Sequence, residues 1–444
     1  MKRLIGKASA LDHFRMKRRE GSALDVRLPS RPAGTGLYAG SLTPLETASR
    51  IIAEVRADGD KALFRISKVL DGVPLKFIEV PPGQIRRGAA LLPSPARAAL
   101  EFAAGRVRKF QESARPETWR DETGQLGETV TPMARVGLYV PGGTAPLAST
   151  VLMTAVPAKV AGVGEIVLCT PAPGDSLPHP AVLAAAEIAG VDRVYKVGGA
   201  QAIAAMSYGT ETVPKVDLVC GPGNIFVTAA KKLVYGDVGI DGLYGPTETL
   251  VLADDAADAE FCAVDLLAQA EHDVMAMPVL IVISENKADE VEAVLERRLA
   301  SLSRRAIASE AMKANGVTVV VRSVEEGIEV ANEIAPEHLC LAVTDAARYA
   351  RLVRSAGGIF IGESSAEVMA DYVAGPSHVM PTGGTARFSA ALSVRNFVRI
   401  TPFLALSEQA FMELAPYAAQ MARLEGLGGH VEAAEVRQRR IVGE

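Results

Sequence analysis

The chain has 444 residues, 49% of them hydrophobic and 22% charged, and its 47 Lys and Arg against 52 Asp and Glu leave a net charge of −5. This slightly acidic balance, with only 5% aromatic residues, argues against a general nucleic-acid or anionic-membrane binder and against base-stacking platforms. At about 150 residues per domain the length allows roughly three units, with enough apolar material for sizeable cores.

Cys169, Cys220, Cys262 and Cys340 lie far apart and form no C-x-x-C pair, which fits a reducing, cytoplasmic setting. The opening Met1-Lys2-Arg3-Leu4-Ile5-Gly6-Lys7 leads into no apolar core of signal-peptide length. No run approaches the roughly 18 uninterrupted apolar residues of a membrane span.

Residues 1–35 read as a polar, basic helical arm that ends in the Pro- and Gly-containing stretch 29–36. Within it, the basic run 14–19 reads as a solvated face or as an arm lying on a partner, and Gly34-Thr35-Gly36 follows no convincing strand. Residues 43–70 carry two amphipathic helical stretches separated by Asp58-Gly59-Asp60 and closed by a turn at 70–73. A further helical region covers about 93–111.

From Arg135 the rhythm changes. Short β-rich runs at 136–140, 166–169, 193–197 and 216–220 are each followed by a Gly or Pro turn and an Ala-rich helical segment. The alternation resumes after Thr247, with runs at 250–252, 279–283, 317–321, 339–343 and 359–361. Such repetition is the pattern of βαβ units and predicts an α/β fold of two Rossmann-like α/β/α domains with parallel-rich sheets. Beyond Phe388 the chain turns helical, over 407–423 and 431–440.

The six histidines are informative because they are few. His13 and His179 look incidental. Gln269 and His272 are spaced i, i+3 at the end of a helical run, so both share one face and offer an amide oxygen and an imidazole to a metal. The plainer alternative is a helix-end histidine satisfying terminal carbonyls. Pro336-Glu337-His338 precedes a strand and offers an acid/base pair at a helix-to-strand junction. Asp371 stands before the turn Gly375-Pro376 and His378 after it, and Glu425-Gly426-Leu427-Gly428-Gly429-His430 adds a carboxylate and an imidazole among glycines. Gln269, His272, Asp371 and His430 form an N₂O₂ set suited to Zn²⁺ or a similar ion, although spacing cannot show that they meet. Three strand-to-helix turns, at Gly142-Gly143-Thr144, Gly198-Gly199-Ala200-Gln201 and Gly221-Pro222-Gly223-Asn224, suggest a nucleotide more than mere packing, and none is a G-x-G-x-x-G fingerprint.

Taken in order, these motifs resemble the histidinol dehydrogenase family over most of the chain. The resemblance is carried by Gly59-Asp60-Lys61-Ala62-Leu63, Tyr139-Val140-Pro141-Gly142-Gly143, Gly198-Gly199-Ala200-Gln201 and Gly221-Pro222-Gly223-Asn224. It continues through Gly245-Pro246-Thr247-Glu248, Gln269-Ala270-Glu271-His272, Ala335-Pro336-Glu337-His338, Asp371-Tyr372, Gly384-Thr385-Ala386-Arg387 and Glu425-Gly426-Leu427. By position it implies zinc ligands Gln269, His272, Asp371 and His430, and an acid/base pair of Glu337 and His338. Cofactor contacts would be Tyr139, Gln201 and Asn224, and substrate contacts Thr247, Gln269, His272, His338, Asp371, Glu425 and His430.

The implied reaction is a four-electron, NAD-dependent oxidation of a primary alcohol, L-histidinol, to the carboxylate through an aldehyde, as in histidine biosynthesis. The resemblance also implies an intertwined homodimer with shared sites, and neither a nucleic-acid nor a membrane partner. The expected organisation is a 1–35 helical arm and a first, catalytic and metal-holding α/β domain of 36–135 with 242–388. An NAD-binding α/β domain of 136–241 and a 389–444 helical segment crossing to the partner subunit complete it. Departures from the family pattern include Tyr244 where Ala is usual, Ser377 where Asn is usual, and an altered stretch at 362–367. They leave a relative oxidising another polar primary alcohol, such as sulfopropanediol, as an alternative. A non-catalytic metal- or nucleotide-binding scaffold and a zinc hydrolase are the readings from other classes.

Overall fold

Near-continuous apolar runs such as Met277–Val282 bury both faces of a strand, which demands a sheet clad by helices on both sides. The computed structural model describes residues 1–19, 23–29, 38, 40–72, 74–142, 145–173 and 176–443. The discounted stretch Gly34-Thr35-Gly36, the Gly143-Thr144 part of the expected turn and the end of the turn at Val73 lie outside them. By its internal contacts the chain forms two compact units, Met1–Arg115 with Met133–Phe397, and Pro116–Pro132 with Val398–Glu444.

The larger unit holds two six-stranded sheets. With strands numbered in chain order, one contains β1 (Lys2–Ile5), β10 (Glu248–Ala253), β11 (Met277–Val282), β12 (Val317–Val320), β13 (His338–Ala342) and β14 (Gly358–Ile361). Its order is β1-β12-β11-β10-β13-β14 and every pairing is parallel. The other contains β2 (Glu79–Val80), β5 (Arg135–Tyr139), β6 (Glu165–Cys169), β7 (Arg193–Tyr195), β8 (Leu218–Cys220) and β9 (Gly239–Ile240). Its order is β2-β7-β6-β5-β8-β9, and only the short edge strand β2 runs antiparallel.

Two boundaries expected from sequence need correction. The helices Pro44–Asp58 and Asp60–Leu70, within the expected 36–135 segment, clad the sheet of 136–241 and not that of 242–388. Ile51, Ile52, Val55, Leu63 and Ile66 share one core with Val167, Tyr195, Ile203 and Val219. The segment 1–35, expected as a helical arm, opens instead with a strand. β1 extends the first sheet beyond β12, and Leu4, Ala10 and Phe14 pack with Leu250, Val317 and Ile328. In each case the chain buries apolar stripes on a sheet hundreds of residues away or across an intervening segment, which local periodicity does not report.

Local chemistry sets the helix ends. Thr43 and Glu46 form a reciprocal capping box ahead of Pro44–Asp58, and Gly59, at φ +54°, breaks the chain into the next helix. His179 is not incidental, since its ring nitrogen accepts from the Ala181 N–H at 3.1 Å and caps Pro180–Ala189. The smaller unit pairs β15 (Val398–Leu404), β4 (Leu126–Pro132) and β3 (Trp119–Arg120) antiparallel. Its helices Glu408–Leu424 and Gly428–Val442 pack through Ala415, Ala419, Ala422, Val431 and Ala434. So 389–444 is not wholly helical.

Candidate active site

The first cluster sits at the amino ends of the first sheet's central strands. Helix Val324–Ile334 stops at Ala335, which takes the left-handed conformation at φ +54° ahead of Pro336. That turn delivers Glu337 and His338 to the start of β13, where His338 lies in register with Thr249 of β10. Both side chains are buried. Glu337 Oε2 accepts from the Thr247 hydroxyl at 2.7 Å and from the Glu248 N–H at 3.1 Å. His338 Nδ1 lies 3.2 Å from the Glu248 carbonyl oxygen and 3.5 Å from Glu337 Oε2, and its Nε2 is 3.4 Å from Asp371 Oδ1. Its ring stacks on Phe360 with centroids 5.7 Å apart.

Gln269, in the last turn of Ala259–Ala270, donates from Nε2 to Asp371 Oδ2 at 3.1 Å. Its Oε1 lies 3.1 Å from the Thr247 hydroxyl. Burial opposes the His338 imidazolium, yet the charge of Glu337 and the contact with Asp371 outweigh it and hold the pKa well above its ordinary value. Burial likewise pushes Asp371 up, but the hydrogen bond and charge of His338, with His378 and His272 adding to them, keep it below the usual carboxylate range. His378 donates from Nδ1 to the Asp371 carbonyl at 2.8 Å and meets the Thr150 hydroxyl through Nε2 at 3.2 Å. Burial lowers its pKa, and the ring ties the Asp371 segment to helix Ala148–Ala161.

A second crevice opens at the carboxyl ends of the other sheet, where strand order reverses between β5 and β8. Gly221, just after β8, has φ +112°, and a Cβ there would lie 2.1 Å from the Tyr139 carbonyl oxygen. Only glycine lets these two strand ends approach so closely. Asn224 caps helix Ile225–Val234, accepting through Oδ1 from Phe226 and Val227. The Tyr139 hydroxyl accepts from Gly199 N–H at 3.0 Å, and burial raises its pKa to about 12. Gln201 is 2% exposed in helix Gly199–Tyr208 and donates to Asp71 Oδ2 at 2.8 Å. A bare backbone lip beside two helix N-termini fits the phosphates of a dinucleotide.

Thr247, Gln269, Glu337, His338 and Asp371 thus converge, with His272 exposed close by, while Tyr139 and Gln201 meet in the second crevice with Asn224 beyond Gly221. Glu425 and His430 belong to the smaller unit, where both are solvent exposed. Among the described residues no three His, Cys, Asp or Glu side chains gather as a metal group. Gln269 and Asp371, with His272 close by, offer instead a mixed oxygen and nitrogen set whose chemistry fits a divalent ion.

Sequence reasoning missed Glu367, a buried carboxyl whose Oε1 accepts from the Thr249 hydroxyl and from Cys340 Sγ. Its i, i+4 spacing from Asp371 on one short helix was the available signal. The departing Tyr244 is buried, with its ring 4.7 Å from the Lys231 ammonium, which in turn pairs with Asp241 at 2.5 Å. Ser377 donates to the Met153 carbonyl oxygen at 3.2 Å.

Two helix-clad sheets, one ending in a dinucleotide-type crevice and the other in a buried Glu–His–Asp cluster, define the class as an α/β enzyme equipped for acid/base chemistry. A family model described as histidinol dehydrogenase matches residues 41–438. The chain is 49% identical over 395 residues to a histidinol dehydrogenase of Thermus thermophilus, covering 88% of this chain and 94% of the relative. It is 42% identical over 437 residues to one of Bordetella parapertussis, covering 95% and 99%. The crystal structure of histidinol dehydrogenase from Elizabethkingia anophelis matches with a TM-score of 0.90 at 34% identity, covering 100% of this chain and 99% of that one. This chain belongs to the histidinol dehydrogenase family. It is accordingly an oxidoreductase of the dehydrogenase class.

Proposed function

We propose that this chain oxidises L-histidinol to L-histidine, with NAD⁺ as electron acceptor in two successive steps. The observation that carries the reading is the buried Glu337–His338 pair, joined through Thr247 and Asp371 to Gln269. In the first step the alcohol CH₂OH loses a hydride and a proton to give the aldehyde. In the second, the aldehyde takes up water, and the hydrate loses a second hydride and two protons to give the carboxylate.

When bound, NAD⁺ supplies the hydride acceptor and Zn²⁺ a cationic anchor that orients substrate heteroatoms. Gln269, His272 and Asp371, together with His430 of the partner subunit, would hold the metal. Tyr139, Gln201 and Asn224 would hold the dinucleotide. His338 donates through Nδ1 to the Glu248 carbonyl, which makes Nε2 the atom that exchanges a proton with the substrate hydroxyl; Glu337 and Asp371 favour the imidazolium, so the ring acts as base only after it has released its Nε2 proton. Glu337, held by Thr247 and the Glu248 N–H, is placed to take a proton from the attacking water. Acid/base assistance of this kind contributes about 10²–10⁴ in rate. No cysteine nucleophile enters, since all four thiols are free and buried.

The reading includes a homodimer in which Glu425 and His430 complete the neighbour's substrate and metal shell. It is supported by an exposed apolar stripe of Leu414, Tyr417, Met421 and Leu424 on helix Glu408–Leu424. A cytoplasmic setting agrees with the unpaired cysteines, and no helix among the described residues is long and apolar enough to cross a membrane. Steady-state turnover on histidinol beside sulfopropanediol tests the substrate. Two NADH formed per histidinol are expected, with turnover falling by about 10² or more in His338→Asn at unchanged zinc content. Preference for sulfopropanediol would replace the substrate, and unchanged turnover in the variant would remove His338 from the chemistry.

A further inference from the structure

Asp71 follows helix Asp60–Leu70, in the N-terminal helical layer, and reaches across to the crevice of the second sheet. One of its carboxylate oxygens accepts from Gln201 Nε2 at 2.8 Å, while the residue as a whole stays open to solvent. A carboxylate only accepts hydrogen bonds, so it fixes which end of the Gln201 amide faces it. The amide nitrogen is committed to Asp71. The amide oxygen then faces the glycine turn, since a Cβ on Gly199 would come within 2.7 Å of Gln201 Oε1. The same turn donates its Gly199 N–H to the Tyr139 hydroxyl, which leaves the phenol proton for another acceptor. Asp71 is also near enough for its charge to act on Tyr139.

This side of the crevice therefore presents an amide oxygen and a carboxylate, both acceptors and one of them anionic. A neutral group with hydrogens to donate, such as a ribose hydroxyl, matches that surface. A phosphate, which carries negative charge and acceptor oxygens, meets two acceptors and a like charge. Resting on the assignment of Tyr139, Gln201 and Asn224 to the dinucleotide, the geometry points to Asp71 as the residue that orients Gln201 toward the ribose of NAD⁺ and selects against the added phosphate of NADP⁺. Acceptor-only carboxylates perform this discrimination in dinucleotide folds generally, although from the end of a sheet strand and not from a helical layer outside it.

The test is calorimetric titration of NAD⁺ and of NADP⁺ into the full-length, zinc-loaded protein, in parallel for the unmodified chain, Asp71→Asn and Asp71→Glu. Asp71→Asn keeps the shape but removes the charge and lets the Gln201 amide turn over. It is expected to weaken NAD⁺ and to shift the NADP⁺-to-NAD⁺ affinity ratio toward NADP⁺ by about tenfold, a difference well within titration precision. The rate at saturating NAD⁺ should stay within about twofold, because an orienting residue of this kind acts on binding. Asp71→Glu, which restores the charge, should restore most of the selectivity. A merely structural Asp71 would lower the unfolding midpoint and leave the affinity ratio alone, and that result overturns the inference. Tyr139→Phe and Asn224→Ala separate the levels. If they weaken NAD⁺ while Asp71→Asn leaves both dinucleotides unchanged, the role of Asp71 falls alone. If none of the three affects NAD⁺, the crevice assignment falls with it.

Discussion

Glu248 divides its work between main chain and side chain. Its N–H donates to Glu337 and its carbonyl accepts from His338, so a single peptide register holds both members of the acid/base pair. The side chain points to the opposite face of β10, where Oε1 accepts from the Gly383 N–H at 2.9 Å and Oε2 is buried without a partner among the described residues. Burial, aided by the nearby Glu337 charge, raises this carboxyl from 4.5 to about 7, with the Gly383 hydrogen bond working the other way. The folded chain therefore binds this proton more tightly than the unfolded chain does. The associated stability is complete below pH 4.5 and is lost as pH rises through about 7. Glu248→Gln, neutral at every pH, should accordingly raise the unfolding midpoint at pH 8, by about 1 °C for each kcal/mol gained at the usual unfolding entropy per residue of a chain this long. At pH 4.5 the gain should vanish. Thermal scans at the two pH values check this, and an equal shift at both would refute the titration.

At the scale of elements, the short helix Glu367–Tyr372 carries Asp371, and six residues cannot hold themselves helical in isolation. What fixes it is the buried end of Glu367, gripped by Thr249 from β10 and Cys340 from β13, while His378 holds the main chain at the other end. Thr249→Val should remove one donor from a buried carboxyl at nearly constant volume, costing about 1–3 kcal/mol. Because the helix then loosens, zinc should also dissociate faster under chelator. Urea midpoints with a chelator-competition assay measure the two together, and a loss of stability with unchanged metal retention would detach this grip from the metal site.

The same scale shows what the chain makes legible. The βα rhythm after Arg135 announced both parallel sheets, because each strand is apolar on both faces and each turn carries Gly or Pro. Glu337, His338, Gln269 and Asp371 were visible as residue types in informative positions. Glu367, Asp71 and the two-residue strands β2, β3 and β9 were not. Their roles arise from partners 27 and 130 residues away or from edge pairings too short to leave a period in the sequence. The β3-β4-β15 sheet was hidden for a related reason, since it joins segments on either side of the long stretch Met133–Phe397.

For the molecule as a whole, the proposed sharing of Glu425 and His430 between subunits predicts a result that a self-contained chain cannot give. His338→Asn and His430→Ala should each abolish turnover when prepared alone, one through proton transfer and the other through the metal shell. In a heterodimer formed by mixing them, one site takes His338 from the second variant and His430 from the first. That site is intact, and the other site carries both lesions. Random reassortment makes about half of the dimers mixed, each with one working site, so about a quarter of normal activity should return. The apolar stripe Leu414, Tyr417, Met421 and Leu424 supplies the surface such a dimer would bury. Co-denaturation, joint refolding and assay of the mixture measure this directly. If His430 served its own chain's site, every dimer would pair two crippled sites and the mixture would stay inactive.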